Sequence, residues 1–365
     1  MNPTQALHQL GQSLWLDNIT RTLLRSGTLA RYIAELSITG LTSNPTIFER
    51  AMSAGDTYDA SIRVLSRAGL SEEDLFFELA LEDLTQAADM FRPVFDASDG
   101  TDGWVSLEIS PLLADNAAHT ILAANTLHAK AEKANLFVKI PGTPQGIEAI
   151  EEVIFDGIPV NVTLLFSHGH VLAAAEAYMR GIERRIAAGL DPKVESVASL
   201  FVSRWDVAVM QEISSPFHNR LGIAIAMRAY KAHCELLASD RWKELAAAGA
   251  RPQRLLWAST GTKDPAAPDT LYVSALAAPG TIDTMPEKTL LAFADHGKVE
   301  RALPQDGGYA EAVIAEFRRE GIDDDALATR LQREGVDAFA ASWRALLLRI
   351  REKGASSDSS ATLRA

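Results

Sequence analysis

The chain has 365 residues, 47% of them apolar, a formal charge of −13 and a single cysteine, Cys234. One cysteine excludes an internal disulfide framework. The acidic balance opposes a nucleic-acid partner, while leaving room for a small phosphorylated ligand held by a local pair of basic groups. The opening MNPTQALHQLGQSLWL lacks the basic and apolar regions of a signal peptide, and no run approaches the ~18 apolar residues of a membrane span, so a cytoplasmic protein with no membrane partner is expected.

Along the chain, short β-rich runs alternate with alanine- and leucine-rich segments of helical period. The predicted strands are Leu14–Ile19, Ser37–Thr42, Trp104–Ile109, Leu136–Ile140, Val160–Leu165, Val194–Val202, Arg254–Ala258 and Leu271–Ala275. Leu112–Ala134 and His170–Ala188 are among the helices between them. Strand–helix alternation predicts a parallel sheet with right-handed crossovers, and eight repeats predict a closed (β/α)8 TIM-type barrel. Residues 48–98 add several helices between the second and third strands, one of them opened by Ser71 as N-cap with Asp74 three residues on. Further helices are expected over about 284–353. The whole of 1–353 reads as one barrel domain, and 354–365, almost without apolar residues, reads as a disordered tail.

Active sites of such barrels form at the C-terminal ends of the strands. Asp17 follows the first apolar run, Asn44 the second, Glu108 the third, Lys139 the fourth and Thr163 the fifth. Ser199 and then Arg204 follow the sixth, Ser259 and then Lys263 the seventh. Each has a plain explanation taken singly: Asn44 before Pro45 as a turn signal, Thr163 as a β-former, Ser199 and Ser259 as small packing residues. Together they would place an amine, two carboxylates, an amide and three hydroxyls on one mouth.

Lys139 stands inside the apolar run LFVKIPG. Burial disfavours an ammonium relative to a free amine, and a free amine attacks a ketone to form a Schiff base, an electron sink for breaking or making a carbon–carbon bond. Asp17 and Glu108 are the carboxylates for proton transfer, with Thr163 to hold a water against Glu108. Arg204 and Lys263, helped by Ser259, suit a phosphate. The competing reading is a structural Lys139–Glu108 ion pair, costly to desolvate. SHGH at 167–170 reads as a helix start rather than a metal site, PGTPQG as a strand-to-helix turn rather than a phosphate loop, and Cys234 as a packing residue.

The segments LTSNPTIF, WVSLEISPLLADN, VKIPGTPQGIEAI, VNVTLLFS, LFVSRWD and LWASTGTKDP together resemble the transaldolases, over about Ser13 to Thr284. The resemblance implies a class I aldolase-type barrel with no metal or organic cofactor and sugar phosphates as substrates. It implies transfer of a dihydroxyacetone unit from sedoheptulose 7-phosphate to glyceraldehyde 3-phosphate, giving erythrose 4-phosphate and fructose 6-phosphate, in the pentose phosphate pathway. By motif, Lys139 matches the Schiff-base lysine, Asp17 the aspartate serving the hydroxyl beside the cleaved bond, and Glu108 with Thr163 the pair that orders the catalytic water. Asn44 and Ser199 match contacts to sugar hydroxyls, and Arg204 a phosphate anchor. Better-known relatives carry S-P-F-V-G-R where this chain has SLFVSR, S-F-R where it has STGTK, and A-S-T where it has PGT, and Lys263 is the residue read as the second anchor. The pattern resembles that of the longer subgroup sometimes fused to a phosphoglucose isomerase domain, and no such domain is expected within these 365 residues.

Two alternatives stand beside transfer. The short fructose 6-phosphate aldolases, similar in motif, release free dihydroxyacetone and carry a tyrosine where this chain has Phe201. A non-catalytic sugar-phosphate binder would be expected to lack one of Lys139, Asp17 or Glu108, and all three are present. Composition is equally compatible with a monomer and a homodimer.

Overall fold

The structure, a computed structural model, describes residues 2–355. Eight parallel strands close into a barrel in chain order: β1 (Ser13–Asp17), β2 (Ile38–Thr42), β3 (Val105–Glu108), β4 (Leu136–Pro141), β5 (Val160–Leu165), β6 (Ser196–Phe201), β7 (Arg254–Ala258) and β8 (Ile282–Met285), with β8 pairing back to β1. Successive strand residues face opposite sides. One set, including Leu14, Leu16, Val105, Leu107, Val138, Val160, Val162, Leu200 and Trp257, joins the core under the surrounding helices. The other, including Trp15, Phe137, Val197, Leu256 and Ile282, fills the lower barrel. Phe137 stacks on Trp104 with ring centroids 4.1 Å apart. Gly40 on β2 is dictated by this plug, because a Cβ there would lie 2.5 Å from the Trp15 indole nitrogen.

Seven of the predicted strands are strands, with ends shifted by a residue or two. The eighth is not: Leu271–Ala275 is a short helix, and the strand that closes the barrel is Ile282–Met285, overlapping the start of the region expected to be helical. Tyr272 and Val273 suit a strand by type, but the helix turns both inward onto the core. Gly280, at φ +76°, then makes the turn that starts β8. The helices expected within 48–98 are Pro45–Ser53, Asp59–Arg67 and Glu72–Ala97, and the Ser71 Oγ accepts from the Asp74 amide at 3.1 Å as its capping role requires. A buried Arg21–Asp83 ion pair, 2.9 Å long, ties the last of them to the segment after β1. At the C-terminus the final helix is Asp324–Ala355, so Gly354 and Ala355, read as tail, are helical; 356–365 lie outside the described residues.

β8 was hidden by a buried carboxylate. Asp283 lies on the outer face of the strand, fully buried, its Oδ1 accepting from Thr260 Oγ1 at 2.8 Å, while Oδ2 has no hydrogen-bond partner among the described residues. Burial pushes its pKa up from 3.8 to about 7, against the weaker opposing effect of Thr260. The folded chain therefore keeps this proton through a range in which the unfolded chain has lost it. Stability falls as pH rises from about 4 to about 7, by on the order of 4 kcal/mol from this group. Asp283→Asn is expected to be more stable than wild type in urea melts at pH 8, with the gain shrinking toward pH 5. An equal gain at both pH values would contradict the assignment.

Candidate active site

The polar residues lie one layer above the aromatic plug, where each strand reaches its C-terminal end. Asp17, Asn44, Lys139, Thr163, Ser199, Arg204, Ser259 and Lys263 line one cavity of about 650 Å³, and Glu108 sits beneath it against Lys139. The barrel thus brings together all nine residues read from the sequence. A groove of about 700 Å³ on the barrel's outside, bordered by Met227, Leu271, His296 and Tyr309, is as large. It holds no buried amine, and its His296 is already paired with Asp269 and Asp295.

Lys139 is 5% exposed. Its Nζ donates to the Ser43 carbonyl at 3.0 Å, lies 3.1 Å from Glu108 Oε2, and stands 5.9 Å from the centroid of the Phe339 ring. Apart from this ion pair, both Glu108 carboxylate oxygens, and Thr163 Oγ1, are buried without a hydrogen-bond partner among the described residues. The TSNP segment explains the Ser43 carbonyl. Thr42 points into the barrel, Ser43 Oγ donates to Ser106 O at 2.8 Å, and Asn44 Oδ1 caps the helix begun by Pro45, accepting from Ile47 N at 3.1 Å. Asn44 is therefore both the turn residue and a cavity residue.

Burial raises the Asp17 pKa from its ordinary value, opposed by Lys139, by a 2.8 Å hydrogen bond from Thr42 Oγ1, and by Lys263. Burial also raises that of Glu108, opposed chiefly by Lys139. The two carboxyls are thus held toward the neutral form and depend on the amine between them for their charge. Arg204, at the start of the helix Ser203–Val209, lies 5.0 Å over the Phe201 ring and 5.8 Å from that of Phe339. It makes no hydrogen bond or ion pair among the described residues, and burial lowers its pKa, against the pull of Glu108 and Glu334. Ser259, in the left-handed region at φ +58°, shares a hydrogen bond with Ser203 at 2.9 Å, which ties the β7 loop to the turn that carries Arg204. Lys263 reaches the same rim from that loop.

The family follows from comparison with known proteins. The model for transaldolase/fructose-6-phosphate aldolase matches residues 14–350. The chain belongs to this family. It is 44% identical to the transaldolase of Thiobacillus denitrificans over 358 residues, covering 96% of this chain and 100% of that protein. The transaldolase of Frankia alni is 44% identical, covering 95% and 96%, and that of Thermobifida fusca 43% identical, covering 96% and 98%. The family match runs into the final helix, so in a transaldolase/fructose-6-phosphate aldolase barrel of this kind that helix is part of the common unit.

Sequence reasoning missed several residues that line the cavity or lie beneath it. Thr42 and Thr284 share a 2.6 Å hydrogen bond beside Asp17. Asn161 accepts from Ser199 Oγ at 2.7 Å and donates to Ser106 Oγ at 3.1 Å. Two residues before Thr163, it shares that residue's face, and the period of a strand was the signal that would have found it. Leu331, Glu334 and Phe339 enter from the final helix, and nothing local in the sequence pairs them with β4. SHGH opens the helix His168–Ala187, capped by Ser167, with His170 Nδ1 accepting from Phe166 N at 3.2 Å. Among the described residues, no group of three or more His, Cys, Asp or Glu is placed to hold a metal, and no helix is long and apolar enough to cross a membrane. PGTPQG is a turn into a helix, with Thr143 Oγ1 as cap.

Proposed function

We propose that this chain is a transaldolase that works through a Schiff base on Lys139. The observation that carries the reading is an amine at the floor of a polar cavity, buried beside Glu108, in a chain alike to transaldolases from end to end. Lys139 Nζ attacks C2 of sedoheptulose 7-phosphate, and loss of water gives the iminium. Asp17 takes the C4 hydroxyl proton, the C3–C4 bonding pair moves into the iminium to form an enamine, and erythrose 4-phosphate leaves. The enamine carbon attacks the aldehyde of glyceraldehyde 3-phosphate, and Asp17 returns its proton to the new alkoxide. A water between Glu108 and Thr163, whose unpartnered oxygens need such a neighbour, adds to the iminium, releasing fructose 6-phosphate and the free amine.

Asn44 and Ser199 contact sugar hydroxyls. Arg204, with no hydrogen bond or ion pair among the described residues, takes the phosphate, with Ser259 and Lys263 completing the rim. Phe201, which offers no hydroxyl near the enamine, favours transfer over release of dihydroxyacetone. Free sugar phosphates as substrates and a lone cysteine fit a cytosolic enzyme.

The test is intact-mass measurement after incubation with fructose 6-phosphate and borohydride. One reduced three-carbon unit, mapped to the Lys139 peptide, is expected, and erythrose 4-phosphate should draw the bound unit into sedoheptulose 7-phosphate. Absence of any adduct would sink the reading.

A further inference from the structure

Phe339 reaches both the reacting amine and the phosphate anchor: its ring centroid is 5.9 Å from Lys139 Nζ and 5.8 Å from the Arg204 guanidinium carbon. It comes from the middle of the final helix and is 4% exposed. Lys139 Nζ also meets two polar groups, Glu108 and the Ser43 carbonyl. Phe339 thus presents an apolar face toward that nitrogen.

The helix is built to hold the ring there. Gln332 Nε2 donates to the Gly142 and Leu164 carbonyls, both at 3.0 Å, at the ends of β4 and β5. Gly335 lies against the same ground: a Cβ there would meet Leu164 Cδ2 at 2.9 Å and Arg204 Nη1 at 3.3 Å. Glycine inside a helix is unfavourable, by about 1 kcal/mol relative to alanine, and close approach to Arg204 is what it provides here. Thr46 and Ser342 share a 2.8 Å hydrogen bond that fixes the next turn to the helix after β2. Leu331, Gly335 and Phe339 follow one another at four-residue spacing, one stripe facing the mouth.

We propose that Phe339 is a specificity-determining residue, which favours transfer of the three-carbon unit over its release, with Gln332 and Gly335 as positioning residues. The inference rests on the Schiff-base reading above. Between departure of the first aldehyde and arrival of the second, the three-carbon unit is an enamine on Lys139. If its carbon takes a proton from water, the product is an iminium. Hydroxide equivalent from a second water then adds at C2, the carbinolamine collapses, and dihydroxyacetone leaves with the amine restored. An aromatic face supplies neither a proton nor a hydrogen bond to hold a water against that carbon, so it slows the protonation without touching attack on an aldehyde.

The test measures two rates on wild type, Phe339→Ala and Phe339→Leu: free dihydroxyacetone released from fructose 6-phosphate alone, and sedoheptulose 7-phosphate formed when erythrose 4-phosphate is added. Phe339→Ala is expected to raise the release-to-transfer ratio about tenfold or more, and Phe339→Leu, which keeps apolar bulk, about threefold. A parallel fall of both rates with the ratio unchanged would mean the ring is only structural, and would overturn the proposal. If Phe339→Ala does not fold, Phe339→Leu decides, and a ratio equal to that of wild type overturns it. Borohydride trapping of each protein separates the two levels of the argument. A wild type that traps nothing removes the Schiff-base reading and this proposal with it. A wild type that traps normally, with unchanged ratios in the variants, removes the proposal alone.

Discussion

Lys139→Met is expected to lower kcat/KM for transfer by at least about a thousandfold, the scale of losing a covalent nucleophile, and to abolish borohydride trapping. The same substitution tests the physical cost of the site. Lys139 and Glu108 side chains are 6% and 3% exposed, so removing the amine leaves a buried carboxyl without its main counter-charge. Breaking such a pair from one side costs roughly 3–5 kcal/mol when the remaining group stays charged. Glu108 has an escape. Burial already raises its pKa and Lys139 is the chief group opposing this, so in the variant the pKa rises further and the carboxyl takes a proton.

The sign follows. A carboxyl whose folded pKa lies above its unfolded value makes stability fall as pH rises above the ordinary carboxylate range, and the variant steepens that fall. Lys139→Met should therefore lose more stability relative to wild type at pH 8 than at pH 5 in urea titrations. The double variant Lys139→Met/Glu108→Gln should remove the pH dependence of that difference while staying inactive. Near-normal transfer by Lys139→Met would place the reactive amine elsewhere. Full activity loss with no pH-dependent stability change would mean that Glu108 has another source of charge balance.

Most of this barrel was legible because its strands are buried on both faces, which makes them stand out as apolar runs. The breaks in those runs then read as function: Asp17, Glu108, Lys139, Thr163 and Ser199 all occupy the inward set at the strand ends, and all meet at one mouth or directly under it. The failure at β8 has the same cause seen from the other side. TIDTM carries Asp283 on the outward face, where an apolar residue is the rule, so the run was too polar to be taken for a strand while LYVSA looked suitable. Losing β8 also lost Thr284. The final helix was visible as a helix, but not as part of the site. Phe339 is two hundred residues from Lys139, and only the folded helix, held by Gln332 and by a gap at Gly335, brings them together.

Asp17→Asn is expected to reduce transfer by about a hundred- to ten-thousandfold, the usual range for a lost general base, while leaving the first covalent step intact. An amide cannot take the C4 hydroxyl proton, but it does not stand in the way of Lys139 attacking C2. Borohydride should then trap the whole six-carbon phosphate on Lys139 from fructose 6-phosphate, where wild type yields the three-carbon unit. The substitution is mild in other respects, because the amide oxygen can still accept from Thr42 Oγ1, now 2.8 Å from Asp17 Oδ1. That bond spends the single Thr42 proton, so in the 2.6 Å pair Thr284 is the donor to Thr42, and the chain of hydroxyls points toward the carboxylate. Such donation favours the ionised form, the form that acts as base, against the burial that raises the pKa. Wild-type cleavage should accordingly fail as pH drops through a value above the ordinary aspartate range, and Thr42→Val should move that acid limb to higher pH while the plateau changes little. A three-carbon adduct forming at the wild-type rate in Asp17→Asn would show that another group takes the proton, and a Thr42→Val profile that falls in height without shifting would show that Thr42 supports the backbone rather than the charge on Asp17.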